Sequence, residues 1–277
     1  MKYFTQPPLG TPLNFAHPLN RELVGYWPMG EGAGIRAQDL SGKGNHGTLT
    51  NMVQGSTSGW TGGKFGRAMR FDGVDDYLVI PDTPSLSFGD GVNDRPFSIS
   101  MWLKADSFNA NYQWLFNKRG NLSNSEYQLV LTPTGQLYMN LFSGGVGTVY
   151  MEVISVQVIR LNTWHNIVYT YDGSKTNAGQ QFYIDGVLST KTGVNGGVYV
   201  AMQDGTVNLH IGIRAWDYAS NSRFVGVVEQ VRLYNRSLSA LEARQLYTDP
   251  FCMYEQKNNF RWFSTFDRKG SFFFSRL

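Results

Sequence analysis

Trp164–Leu188 reads WHNIVYTYDGSKTNAGQQFYIDGVL, and this stretch decides the fold. Its first half alternates strictly, with His165, Ile167, Tyr169 and Tyr171 on one side and Trp164, Asn166, Val168 and Thr170 on the other. A period of two, rich in β-branched and aromatic residues, is the pattern of a half-buried strand. Asp172-Gly173 interrupts it, and glycine accepts the positive φ that a tight turn requires. A second apolar run, Gln181 to Ile184, stops at Asp185-Gly186, a dipeptide that strongly marks a hairpin between apolar runs. The middle of the chain is predicted to be antiparallel β.

The same alternation extends outward. Phe97–Lys104 (FSISMWLK) sets Phe97, Ile99, Met101 and Leu103 against Ser98, Ser100 and Trp102. Trp114–Asn117, Tyr127–Thr132, Gln136–Phe142 and Val146–Ile159 follow, with Pro133-Thr134-Gly135 as a hairpin turn. Upstream lie Leu23–Met29, Phe65–Phe71 and Tyr77–Ile80, the last two flanking Asp72-Gly73-Val74-Asp75-Asp76. Residues 31–49, dense in Gly, Asp, Ser and Asn, are predicted to be a long loop. Downstream, Asn208–Ile213 and Phe224–Tyr234 supply the last strands. Short strands at close intervals with turns between them indicate a sandwich. One helix is predicted, opened by the capping box Ser239-Ala240-Leu241-Glu242.

Aromatic residues at 14%, 31 glycines and only 16% charged residues suit a sheet protein with many turns. The 277 residues divide into an extended arm at 1–20 (Pro7, Pro8, Pro12, Pro18), one large domain at 21–249 and a tail at 250–277. The single Cys252 excludes an internal disulfide. The start, MKYFTQPPLGTPLNF, opens on Met and lacks the apolar core of a secretory signal, so synthesis in a cytosol is expected. No run reaches the ~20 apolar residues of a membrane span. The net charge of +3 is concentrated in the tail, where five bases face two acids. The body is close to neutral, which argues against a nucleic-acid partner.

That tail holds nine aromatic residues: Phe251, Tyr254, Phe260, Trp262, Phe263, Phe266, Phe272, Phe273 and Phe274. So many rings do not stay in water as one surface. They are assigned to docking on another protein or another copy, with folding back onto the chain's own sandwich as the alternative.

LVGYWPMGEGAG, DLSGKGNHGTL, GKFGRAMRFDGVDDYLVIP, FSISMWLK, WHNIVYTYDG, FYIDGVL and FVGVVEQVRLYNRSLSALEARQLY occur in that order over residues 21–248. Together the chain resembles the laminin G-like, concanavalin A-like jelly-roll domains. The resemblance implies an all-β jelly-roll sandwich of two antiparallel sheets with its first and last strands adjacent. To this the chain adds one short C-terminal helix and extended N- and C-terminal arms. The resemblance also implies a binding or structural module, of the kind found in carbohydrate-active enzymes, extracellular proteins and phage virions. A structural Ca²⁺ is implied between the glycine-rich loop and the last strand. Asp39 and Asn45 match the loop side, and Glu229 stands where the family usually has Asp.

Catalysis finds little support. A glycosidase needs two carboxyl groups ~5–10 Å apart across a cleft, yet the strands are acid-poor, with Glu152 and Glu229 each alone. His17, His46, His165 and His210 are scattered, and His165 reads as a core histidine. No nucleophile elbow, zinc-protease, phosphate-loop or dinucleotide motif occurs. The ligand candidates sit on two loops: Asn109, Asn111 and Tyr112, and Arg214 with Trp216, Asp217, Tyr218 and Asn221. Rings beside amides and an acid suit a sugar or a partner chain. The sequence therefore predicts a non-enzymatic virion component of a tailed phage, a capsid decoration or tail-associated protein. Its expected partners are other virion proteins, its own copies and a cell-surface glycan. The alternative is an extracellular carbohydrate-binding module of a secreted bacterial protein.

Overall fold

The computed structural model describes residues 5–53, 55, 57–120, 124–143, 149–214 and 223–255, and the backbone of 264–266 and 272–274. The first strands are β1 (Leu23–Trp27), β2 (Arg36–Ala37), β3 (Gly47–Thr50), β4 (Gly59–Gly62), β5 (Arg67–Asp72), β6 (Tyr77–Ile80) and β7 (Phe97–Ala105). Next come β8 (Gln113–Arg119), β9 (Ser125–Leu131), β10 (Gln136–Phe142), β11 (Tyr150–Val158), β12 (His165–Tyr171), β13 (Gln180–Ile184) and β14 (Val187–Ser189). β15 (Lys191–Gly196), β16 (Leu209–Ile211) and β17 (Val225–Tyr234) precede the helix α1 (Ala240–Thr248). The tail adds a hairpin of β18 (Ser264–Phe266) and β19 (Phe272–Phe274). Among the described residues no helix is long and apolar enough to cross a membrane.

The strands form two antiparallel sheets. One runs β14-β13-β12-β7-β17-β5-β4, with β1 beside the second half of β17. The other has nine strands, β15-β11-β10-β9-β8-β16-β6-β3-β2. This is the predicted jelly-roll sandwich, with the first long strand next to the last. Residues 31–49 are less of a loop than their composition suggests, because β2 and the start of β3 lie within them and pair with each other.

Hairpin chemistry behaves as read. Asp185 and Gly186 both take positive φ, 53° and 75°, joining Ile184 to Val187 across a two-residue turn. The capping box is complete, with Ser239 Oγ accepting from Glu242 N and the Glu242 carboxylate accepting from Ser239 N.

β12 departs from the half-buried expectation, since all seven of its residues are buried. Ile167, Tyr169 and Tyr171 enter the core between the sheets. Val168 points the other way, into a second apolar cluster with Tyr26, Tyr183, Tyr234, Leu246 and Met253. The helix and both ends of the described chain return to roof the outer face of the eight-stranded sheet. Trp102, on that outer face, is 1% exposed beneath Tyr247, whose ring stacks 5.6 Å away.

This roof redraws the domain boundaries. Leu13 forms a β-bridge with Tyr254, and Asn14 N donates to Met253 O at 2.9 Å. Asn20 Nδ2 donates to the same carbonyl. The expected boundaries at 20/21 and 249/250 therefore both cut a packed layer. Arg232 fastens it. Its fully buried guanidinium lies over the Tyr26 ring at 4.4 Å and donates to Gln230 O, Tyr26 Oη and Pro250 O. A bulge at Gln230 (φ 56°) turns β17 so that its first half pairs with β5 and its second with β1.

Candidate binding face of the nine-stranded sheet

In a strand, residues directly opposite each other across a ladder point to the same side. Thr48, Val79, His210, Asn117, Gln128, Asn140, Glu152 and Val194 are paired in succession across eight strands of the nine-stranded sheet. The flanking Phe116, Leu129, Met139 and Val153 belong to the core between the sheets. The row therefore points away from the core between the sheets, and its central members are polar but covered, with Asn117, Gln128 and Asn140 at 0%, 3% and 2% exposure and Glu152 half-buried.

Those members are joined by hydrogen bonds. Arg119 Nη1 donates to Gln128 Oε1, and Gln128 Nε2 donates to Asn140 Oδ1 at 2.6 Å. Asn140 Nδ2 reaches Tyr138 Oη at 2.9 Å and Glu152 Oε2 at 3.3 Å, while Tyr138 Oη donates to that same carboxylate oxygen. Burial, then this bond to Glu152, push the Tyr138 phenol up and keep it a donor.

Aromatic faces border the network. The Tyr112 ring is 44% exposed and lies 5.3 Å from Tyr138. Trp114, only 5% exposed, has the Arg214 guanidinium over its indole at 4.7 Å and that of Arg119 at 5.7 Å. Arg119 also lies over Phe142 at 4.5 Å. Rings with flanking amides and guanidinium groups can stack on a sugar's C–H face while bonding its hydroxyls.

Of the sequence-predicted ligand residues, Tyr112 belongs to this face. Asn109 is engaged elsewhere, its Nδ2 donating to Arg223 O at 3.0 Å, which ties the loop after β7 to the start of β17. Asn111 is exposed at the same rim. Trp216, Asp217, Tyr218 and Asn221 lie outside the described residues. Trp114, Arg119, Gln128, Tyr138, Asn140 and Glu152 were not singled out together. Their signal was Gln128 in β9, Tyr138 and Asn140 in β10 and Glu152 in β11 at alternating positions, interrupted by the apolar Val130 and Ile154.

The expected calcium set does not converge. Asp39 Oδ1 accepts from Tyr26 N and Ser41 N, and Oδ2 from Ser41 Oγ and Asn45 N, so both oxygens are filled by protein donors. Asn45 Oδ1 accepts from Thr83 Oγ1, and its Nδ2 serves Val24 O and Ser85 Oγ. Glu229 is fully buried elsewhere, one oxygen accepting from Lys64 N at 3.1 Å and the other unpartnered. Burial pushes its carboxyl up to about 7. These residues close the glycine-rich loop and do not fit a cation. The acidic turn Asp72-Asp75-Asp76 brings carboxylate oxygens within 4.8 Å of one another. It is braced by Asp72 N on Asp76 Oδ2 and Val74 N on Asp72 Oδ1.

His165 is a satisfied core residue. Its Nε2 accepts from Arg160 N at 3.0 Å, so Nδ1 carries the proton and donates to Asp185 Oδ2 at 2.7 Å. In the tail, Phe251 and Tyr254 are 1% and 3% exposed within the roof, and so offer no surface to a partner. Their fold-back is driven by burial against Tyr26 and Phe65. Phe260, Trp262 and Phe263 lie outside the described residues, and of Phe266, Phe272, Phe273 and Phe274 only the backbone pairing is described.

A two-sheet sandwich with a polar, aromatic-rimmed outer sheet face is built like the lectin-type jelly rolls. The chain belongs to the concanavalin A-like lectin/glucanases superfamily, which it matches over residues 72–244. No curated protein matches it in sequence. Among solved structures it is similar to the binding domain of Paraclostridial Mosquitocidal Protein 1 (TM-score 0.64, 16% identity, covering 93% of this chain and 65% of that one). It is also similar to domain 4 of AbnA, a GH43 extracellular arabinanase from Geobacillus stearothermophilus, in complex with arabinotriose (TM-score 0.56, 18%, 82% and 98%). A third similar structure is the botulinum neurotoxin serotype D ligand binding domain in complex with N-acetylneuraminic acid (TM-score 0.59, 15%, 83% and 51%). The chain thus spans less than two thirds of the two toxin domains. At these identities the likeness is one of fold.

Proposed function

We propose that this protein is a non-enzymatic binding module that takes a carbohydrate on the outer face of its nine-stranded sheet. The observation that carries this reading is the connected row Arg119–Gln128–Asn140–Tyr138–Glu152, bordered by the rings of Tyr112, Trp114 and Phe142. The buried amides of Gln128 and Asn140 brace the half-buried Tyr138 and Glu152, and side chains fixed in this way lower the ordering cost of binding at the exposed edge beside Tyr112. Binding rather than hydrolysis is supported by the acids of this sheet. Glu126 and Glu152 are the two in its nine strands. Glu126 is held by the buried Lys118, and Glu152 by Tyr138 and Asn140. Neither is placed as half of a pair across an open cleft. The family and the similar structures, toxin binding domains and an arabinanase domain in complex with arabinotriose, support the same reading. A virion-borne and a secreted module would use the face in the same way.

The test is glycan-array binding by the wild type and by Tyr112→Ala. The ring is exposed, so its loss should leave the melting temperature unchanged while weakening binding several-fold, the scale of one stacked ring at about 0.5–1.5 kcal/mol. Binding that survives intact in both Tyr112→Ala and Tyr138→Phe would place the ligand elsewhere.

A further inference from the structure

The Glu152 carboxylate is only half used on this face. Its Oε2 accepts from Tyr138 Oη and from Asn140 Nδ2, while Oε1 takes no hydrogen bond among the described residues and remains open to solvent. No cation is paired with it among the described residues. Arg119, the cation of the same network, is turned onto Gln128 Oε1 and over the Phe142 ring. Lys191, on the neighbouring β15, sends its ammonium to Ala178 O and Gln180 O. The surroundings are apolar and accessible. Ile154, two residues along β11, is half-buried, and Val194, opposite Glu152, is 57% exposed. The exposed Tyr112 ring lies against Tyr138. An unpaired carboxylate oxygen bordered by ring faces favours a cation, since the faces attract positive charge as well.

We infer that Tyr112, Tyr138 and Glu152 form a subsite for the ammonium of an amino sugar that carries a free amine. This rests on the carbohydrate site lying on this side of the sheet and adds the ligand's charge. The ammonium donates to Glu152 Oε1 beside the two tyrosine rings, while the sugar's C–H face lies on Tyr112 and meets Ile154 and Val194 at its border. Tyr138 fixes the carboxylate through Oε2, so the accepting oxygen is set before the ligand arrives. An N-acetyl group or a hydroxyl at the same place leaves only a weaker, neutral bond.

The experiment is an array carrying glucosamine oligomers with free amines, their N-acetylated counterparts and neutral hexose oligomers, read at low and moderate salt. Wild-type protein should retain the free-amine series about tenfold better than the other two, the scale of one charge-assisted hydrogen bond, and moderate salt should shrink that preference. Glu152→Gln keeps an acceptor for Tyr138 and removes the charge. It should bring free-amine binding down to the N-acetylated level at an unchanged melting temperature. Glu255→Gln removes the same charge from an exposed position in the roof, on the opposite side of the sandwich, and should leave the preference intact. Equal losses in Glu255→Gln and Glu152→Gln would reduce the effect to bulk charge and overturn the subsite. A wild-type preference that salt leaves unchanged would overturn it too, without recourse to any substitution. N-acetylated and neutral oligomers bound as well as free amines, with Tyr112→Ala still defective, would overturn the subsite while the carbohydrate face stands. No glycan of any series bound by the wild type would overturn both.

Discussion

Glu229 lies in the bulge of β17 with one carboxylate oxygen on Lys64 N and the other unpartnered. Its ordinary value of 4.5 rises to about 7 because burial penalises the charged form. An acid raised in this way stabilises fully below its unfolded value and loses that contribution as pH rises through the folded one. Native stability should therefore fall between about pH 4.5 and pH 7 through this group. Glu229→Gln keeps the acceptor and cannot ionise. It should equal the wild type near pH 4.5 and exceed it at pH 8 by about 1–3 kcal/mol, the cost of an unpaired buried polar group. Urea melts at the two pH values decide it, and an equal difference at both would refute the titration. At this scale the sequence reads ambiguously. An Asp in a glycine-rich loop looks the same whether it gathers backbone N–H groups or cradles a cation, and only the four donors around Asp39 separate the two.

Strands and turns were legible because their signals are local. The alternation in Phe97–Lys104 and His165–Tyr171, the Asp185-Gly186 hairpin and the Ser239/Glu242 capping box all became the elements they announced. The helix owes its start to that box and to Arg236, which donates to both Glu242 oxygens at 2.7 and 3.0 Å. Ser239→Ala should remove the cap and cost about 1 kcal/mol. Because α1 roofs Val168 and Tyr183, the loss should appear in global unfolding and not as fraying alone. A melt unchanged by the substitution would mean the helix is held by packing only. What local signals did not reveal is that a strand alternating like a half-buried one is covered twice. Asn166 and Thr170 sit under the roof because small polar side chains can bond to neighbouring strands, as Asn166 Nδ2 does to Met101 O. The binding row escaped for the reverse reason. Its residues are spread over four strands and meet only through register.

At the scale of the whole molecule, the segment just past the helix is part of the body. Phe251, Met253 and Tyr254 fill the roof, and Pro250 O receives the buried Arg232 guanidinium. Removing such side chains costs about 2–5 kcal/mol each, and a stripped buried charge adds to that. A chain ended at Asp249 should unfold at much lower denaturant than one ended at Glu255, which should retain cooperative unfolding close to the full chain. Equal stability of the two shortened chains would show the roof to be dispensable.

Residues 12–14 and 253–255 run side by side in that roof, on the outer side of the eight-stranded sheet. The row of Gln128, Asn140 and Glu152 looks out from the opposite side of the sandwich. Anything joined to the chain through either segment would leave from the back, and so would work as a handle. Copies held by that handle on one scaffold would all turn that side, with the exposed Tyr112 ring, outward. Weak single-site contacts of that arrangement add up by effective concentration, gaining ~10²–10⁴ in avidity without a new contact.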